Sequence, residues 1–163
     1  MFYLNGSGIN MHGNQLHVYQ AMCDSSQCED MLLGNLQFRD LPNNYAVPND
    51  FDLLQKLEWC DSVWFHGGST PNLIKYLRMY NLDDVIALLH RRTVVATSAG
   101  VSSLTIAHAN YDEFSILHGI GAITATSIVH WSNRKIDAVH ALKRKYPLLP
   151  VLCVSDKNTI IIG

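Results

Sequence analysis

The sequence predicts an α/β protein built on a mainly parallel sheet with helices on both faces. Short apolar runs such as "SVWF" (62–65) and "TVVAT" (93–97) are continuous rather than alternating, as in strands buried on both sides. Helical patterns of about ten residues separate such runs, so consecutive strands must be joined by crossovers and lie parallel. Two of the runs end in loops of small residues, "HGGST" (66–70) and "TSAG" (97–100), at the strand ends where sheets of this kind form their sites.

The elements follow in order. An apolar segment at 1–4 precedes a glycine-rich turn. "NQLHVYQAMC" (14–23) reads as a helix and "MLLGNLQF" (31–38) as a strand. "NDFDLLQKLEWC" (49–60) opens on an Asn/Asp cap and carries apolar residues at helical spacing. After "SVWF", Thr70 is the expected N-cap of a helix with Pro71 at its first position, where a missing N–H costs nothing. "LDDVIALLHRR" (82–92) has acids in its first turn and bases in its last, in line with the helix dipole. A run that could be helical follows "TVVAT". "AITATSIVH" (122–130) is extended, "RKIDAVHALKRKY" (134–146) helical, and "PVLCVS" (150–155) and "NTIIIG" (158–163) are strands.

Composition narrows the function. With 163 residues, 48% hydrophobic and 16% charged, the chain suits one globular domain with a real core. A net charge of −2 with interspersed signs argues against a nucleic-acid partner. No window approaches the ~18 uninterrupted apolar residues of a membrane span, and the N-terminus lacks a signal-peptide pattern, so the expectation is a cytoplasmic protein without a membrane partner. Cys23, Cys28, Cys60 and Cys153 are spaced neither as CxxC nor as a disulfide framework and read as reduced thiols. Neither HExxH nor CxxC is present, and His12 and His17 do not share a helical face, so no metal site is expected.

Ser98 stands between a buried strand and the following run. It is read either as a helix N-cap or as a nucleophile at a strand-to-helix elbow, with Ala99 and Gly100 small enough for a tight turn. G-x-S-x-G is half met, since Ala96 occupies the first glycine. Gly67 and Gly68 allow close backbone approach, and the N–H groups of Gly68 and Ala99 together could form an oxyanion hole. Among the histidines, His130 ends an apolar run and lies at the same sheet edge. Asp112 or Glu113 in "NYDEF" could orient it.

Residues 59–163 resemble the peptidase E family of aspartyl dipeptidases and their cyanophycinase relatives. The resemblance rests on "HGGSTPNLIKYL" against a G-G-N-T-x-x-L loop, "VVATSAGVSSL" against W-S-A-G-A, an acid about fifteen residues later, "SIVHW", and the closing "PVLCVSDKNTIIIG". It implies a three-layer, glutamine amidotransferase-like fold, here shortened at both ends. It also implies Ser98 as nucleophile, His130 as base, Asp112 or Glu113 as orienting acid, and Gly68 and Ala99 as oxyanion donors. Gly67, Ser69 and Arg134 would face substrate, a short peptide with N-terminal aspartate, and no cofactor is required. Ser69 replaces the family's asparagine, Thr97 its tryptophan, and Arg134 does not align cleanly with the family's substrate-binding arginine. A non-catalytic binding or regulatory protein on the same fold is the alternative. Missing edge units predict self-association, at its simplest a homodimer.

Overall fold

A computed structural model describes residues 2–5, 18–21, 32–33, 36–37, 53–59, 62–65, 67–110, 115–156 and 159–163. Its strands fall into two larger sheets and one short hairpin. The first sheet has the order β11-β1-β6-β5-β2, formed by β1 (Phe2–Asn5), β2 (Val18–Ala21), β5 (Ser62–Phe65), β6 (Thr93–Thr97) and β11 (Thr159–Ile162). All its pairings are parallel except β1 with the edge strand β11. The second sheet runs β10-β9-β7-β8, from β7 (Thr105–Ala109), β8 (Ile116–His118), β9 (Ile123–Val129) and β10 (Val151–Val154), with β8 the antiparallel edge. The two-residue strands β3 (Leu32–Leu33) and β4 (Leu36–Gln37) pair antiparallel.

Five helices complete the described residues: α1 (Leu53–Trp59), α2 (Thr70–Leu77), α3 (Leu82–Leu89), α4 (Ala99–Leu104) and α5 (Ile136–Lys145). The main core joins Leu53 and Leu57 of α1, Leu73 and Leu77 of α2 and Val85 and Leu89 of α3 to Val63, Phe65, Val94 and Ala96 of the first sheet. A second cluster packs Ala138 and Leu142 of α5 on Ala109 and Ile128. Val94, Val95 and Ala96 are consecutive and all buried, which accounts for the unbroken apolar run. Arg92 does not end α3 as a dipole partner. It reaches across to α1, donating from Nε to the Leu57 carbonyl and from Nη2 to that of Glu58, both at 2.8 Å, where α1 leaves carbonyls without helical donors.

Three local readings are corrected. Residues 18–21 of the expected helix at 14–23 form β2, because pairing Val18–Ala21 in register with Ser62–Phe65 outweighs a weak local preference. The segment at 31–38 is not one strand but β3 and β4. Ser69, not Thr70, caps α2: its backbone is extended and its Oγ accepts the Asn72 N–H at 3.4 Å. Pro71 is thereby the second helical residue, where a missing N–H is equally harmless. Among the described residues no helix is long and apolar enough to cross a membrane.

Candidate active site

The site is assembled where the carboxyl ends of β6, β9 and β10 meet. β6 ends at Thr97, whose Oγ1 accepts the indole N–H of buried Trp64 at 3.3 Å, tying the ends of β5 and β6 together. The chain then turns at Ser98 with φ 48° and ψ −112° and enters α4. A non-glycine residue rarely adopts this conformation, at a cost of about 1–3 kcal/mol. The turn is possible because α4 packs directly on the neighbouring strand. A Cβ on Gly100 would lie 2.2 Å from the Phe65 carbonyl oxygen, so only glycine fits.

The cap reading of Ser98 makes a definite demand, a side-chain bond to an amide of the first turn. Ser98 makes no side-chain cap bond. Its Oγ instead lies 2.9 Å from Nε2 of His130. His130 follows β9 and also has positive φ, 52°, which swings the ring out of strand geometry over the sheet edge. Its Nδ1 is 2.6 Å from Oδ1 of Asp156. A carboxylate on Nδ1 holds the proton there, so Nε2 accepts the Ser98 hydroxyl. The His130 and Asp156 side chains are 40% and 61% exposed, so solvent reaches this end of the array.

Asp156 was not foreseen, and the fold explains its arrival. β10 is the parallel neighbour of β9, with Val154 opposite Val129. The Trp131 N–H donates to the Val154 carbonyl at 3.0 Å, so both chains leave their strands side by side. The residue two beyond Val154 then meets the residue just beyond Val129. Asp112 and Glu113, the acids expected to face His130, lie outside the described residues.

The glycine loop reaches the same place. A Cβ on Gly67 would stand 3.5 Å from Ser98 Cβ and 4.0 Å from its Oγ, so the backbone of Gly67 borders the hydroxyl. Gly68 has φ 126°, a region that favours glycine. The Ala99 amide is the first of α4 and by position has no acceptor within the helix. Ser69 is engaged in capping α2. Arg134 lies exposed in the Asn133–Lys135 turn, four residues beyond His130. Among the described residues no group of three or more His, Cys, Asp or Glu is arranged to hold a metal.

No family model matches the chain, and no curated protein matches it in sequence. Its fold is similar to the crystal structure of a provisionally named peptidase E protein from Listeria monocytogenes, at 14% identity and a TM-score of 0.59, covering 99% of this chain and 93% of that one. At this identity the likeness is one of fold: the chain has an α/β, mainly parallel architecture of the kind that protein carries.

Proposed function

We propose that the chain is a serine-type hydrolase that cleaves short peptides, with N-terminal aspartyl dipeptides as the substrate class. The observation that carries this reading is the continuous array from Ser98 Oγ through His130 to Asp156, at 2.9 and 2.6 Å, on a serine whose backbone is strained and whose hydroxyl caps nothing. As Ser98 Oγ attacks the peptide carbonyl carbon, its proton passes to His130 Nε2, and the imidazolium gives that proton to the departing amine. Water then attacks the acyl-enzyme by the same route, releasing the acid and restoring the serine. Asp156 keeps the Nδ1 proton in place and stabilises the imidazolium. The Gly68 and Ala99 amides are the donors for the oxyanion, each worth about 10²–10³ in rate. Arg134 is the cation nearest in sequence to the base and is assigned to the aspartyl carboxylate on the strength of the family resemblance.

The test is a fluorophosphonate label followed by a panel of Asp-X, Glu-X, Ala-X and isoaspartyl dipeptides, with Ser98→Ala alongside. Labelling at Ser98 and Ser98-dependent cleavage confined to Asp-X are expected. Cleavage of another class alone would remove the aspartyl assignment and keep the hydrolase. An unlabelled Ser98 with no cleavage would leave the non-catalytic binding protein as the reading.

A further inference from the structure

Ser98 and His130 belong to different sheets: Ser98 follows β6 of the first and His130 follows β9 of the second. The 2.9 Å between their side chains therefore depends on how one sheet is seated on the other. The segment that crosses between them is α4, which enters from β6 and leaves directly into β7. With six residues it is about 9 Å long, so a contact at its far end lies within two turns of the serine. Its N-terminal end is seated on the first sheet by Gly100 against Phe65. Its C-terminal end is held in the second sheet by side chains that take no part in the Ser98 array.

Ser102 is the link. Its N–H donates to the Ser98 carbonyl at 3.2 Å, and its own carbonyl accepts the Thr105 hydroxyl at 3.3 Å. The same carbonyl takes the ring N–H of His108, which burial keeps neutral by lowering its pKa to about 4. The Nδ1 of His108 has no hydrogen-bond partner among the described residues, so the polar contact of this ring is the one to Ser102. The Thr105 hydroxyl also lies 2.9 Å from that of Ser127, which stands on β9 three residues before His130. From the other side the loop at 119–121 closes over the end of α4. The Ile120 N–H donates to the Ser103 carbonyl at 2.8 Å, and a Cβ on Gly119 would collide with the Thr105 carbonyl oxygen. Thr105, Ser127 and His108 are all buried. Stability does not require polar groups there, since a hydrogen-bonded pair replaced by apolar groups of the same shape is close to neutral. What a satisfied polar seam adds is a unique alignment, and this one runs from the backbone of the serine to the strand of the histidine.

We propose that Thr105 and His108 are positioning residues: they hold the Ser102 carbonyl, and through Ser102 the backbone of Ser98, at a fixed distance from the strand that carries His130. The inference rests on the reading of Ser98 as the nucleophile of a hydrolase.

The second-order rate of fluorophosphonate labelling at Ser98 reads the alignment, and thermal melting of the same full-length variants reads the fold. Thr105→Val keeps the shape and removes the hydroxyl. It should slow labelling by about ten- to a hundredfold, the penalty of a misplacement on the order of 1 Å. His108→Phe should slow it by about tenfold or more. Thr105→Ser restores the hydroxyl and should label within about threefold of the parent. Thr105→Val/Ser127→Ala removes both hydroxyls of the pair, so no buried group is left facing an apolar one. It should melt within a few degrees of the parent yet label as slowly as Thr105→Val. A parent that neither labels nor cleaves any peptide would defeat the hydrolase reading and this inference with it. A parent that labels, with Thr105→Val or His108→Phe within about twofold of it, would overturn this inference alone. So would a loss that Thr105→Ser fails to restore, or a double variant that melts normally and labels as the parent does.

Discussion

Asp156→Asn is the sharpest perturbation of the proposed array, because it keeps shape while inverting a hydrogen bond. The carboxylate accepts from His130 Nδ1 at 2.6 Å. An asparagine that turns its amide N–H₂ to Nδ1 favours the other tautomer, whose Nε2 carries a proton and cannot take one from Ser98. The second loss is the charge that faces the imidazolium. Unit charges about 4 Å apart interact by about 1 kcal/mol in water and about 4 kcal/mol at an effective dielectric of 20. With the two side chains 40% and 61% exposed, the lower part of that range applies. Adding the tautomer penalty gives a loss of about 10²–10³, below the ~10⁴ seen when the triad acid is buried. Asp156→Ala should lose less than Asp156→Asn, since water can accept from Nδ1 without imposing the wrong tautomer. The second-order rate of fluorophosphonate labelling reads this directly and needs no knowledge of the substrate. If Asp156→Asn labels within about threefold of the parent while Asp112→Asn or Glu113→Gln collapses, the orienting acid is not Asp156 and the mechanism must be redrawn.

Other expectations follow from the same geometry. Ser98→Ala should melt within a few degrees of the parent, because the hydroxyl caps nothing. Ser98→Gly should be more stable by about 1 kcal/mol, because glycine accepts φ 48°; a destabilised glycine variant in urea unfolding would mean the turn is not strained. Gly100→Ala should cost about 3 kcal/mol or more, since its Cβ meets the Phe65 carbonyl at 2.2 Å and the backbone must yield; a melting temperature unchanged from the parent would show that α4 does not sit so close. His108 sets a pH slope. Its folded pKa is about 4 against 6.5 for the free ring, so the unfolded chain binds the extra proton first, and stability falls as pH drops through that window. The full effect is at most about 3 kcal/mol. Urea unfolding at pH 7 and pH 4.5 should lose a visible part of it in the parent but not in His108→Phe; parallel losses in both chains would assign the slope to other groups.

The parts of this fold legible in sequence are those fixed by runs of neighbouring residues. "SVWF" and "TVVAT" declare buried strands because both faces need apolar side chains, and "TSAG" declares a tight turn because Gly100 must pass against Phe65. Ser98 and His130 were legible because each stands at the end of such a run, and the fold brings the two strand ends together although β6 and β9 belong to different sheets. Val18–Ala21 was not, because its strand identity comes from a ladder with residues more than forty positions away. Asp156 follows the same logic. Reading forward from the serine draws attention to the first acids encountered, Asp112 and Glu113, whereas the contact with His130 is decided by which strand lies beside β9. That strand, "VLCV", was visible, and the acid stands two residues past its end, at the same edge as the histidine. In a parallel sheet the search for a histidine's partner is therefore better made across strand ends than along the chain. Distance in sequence says little about it, since every crossover returns the chain to that edge.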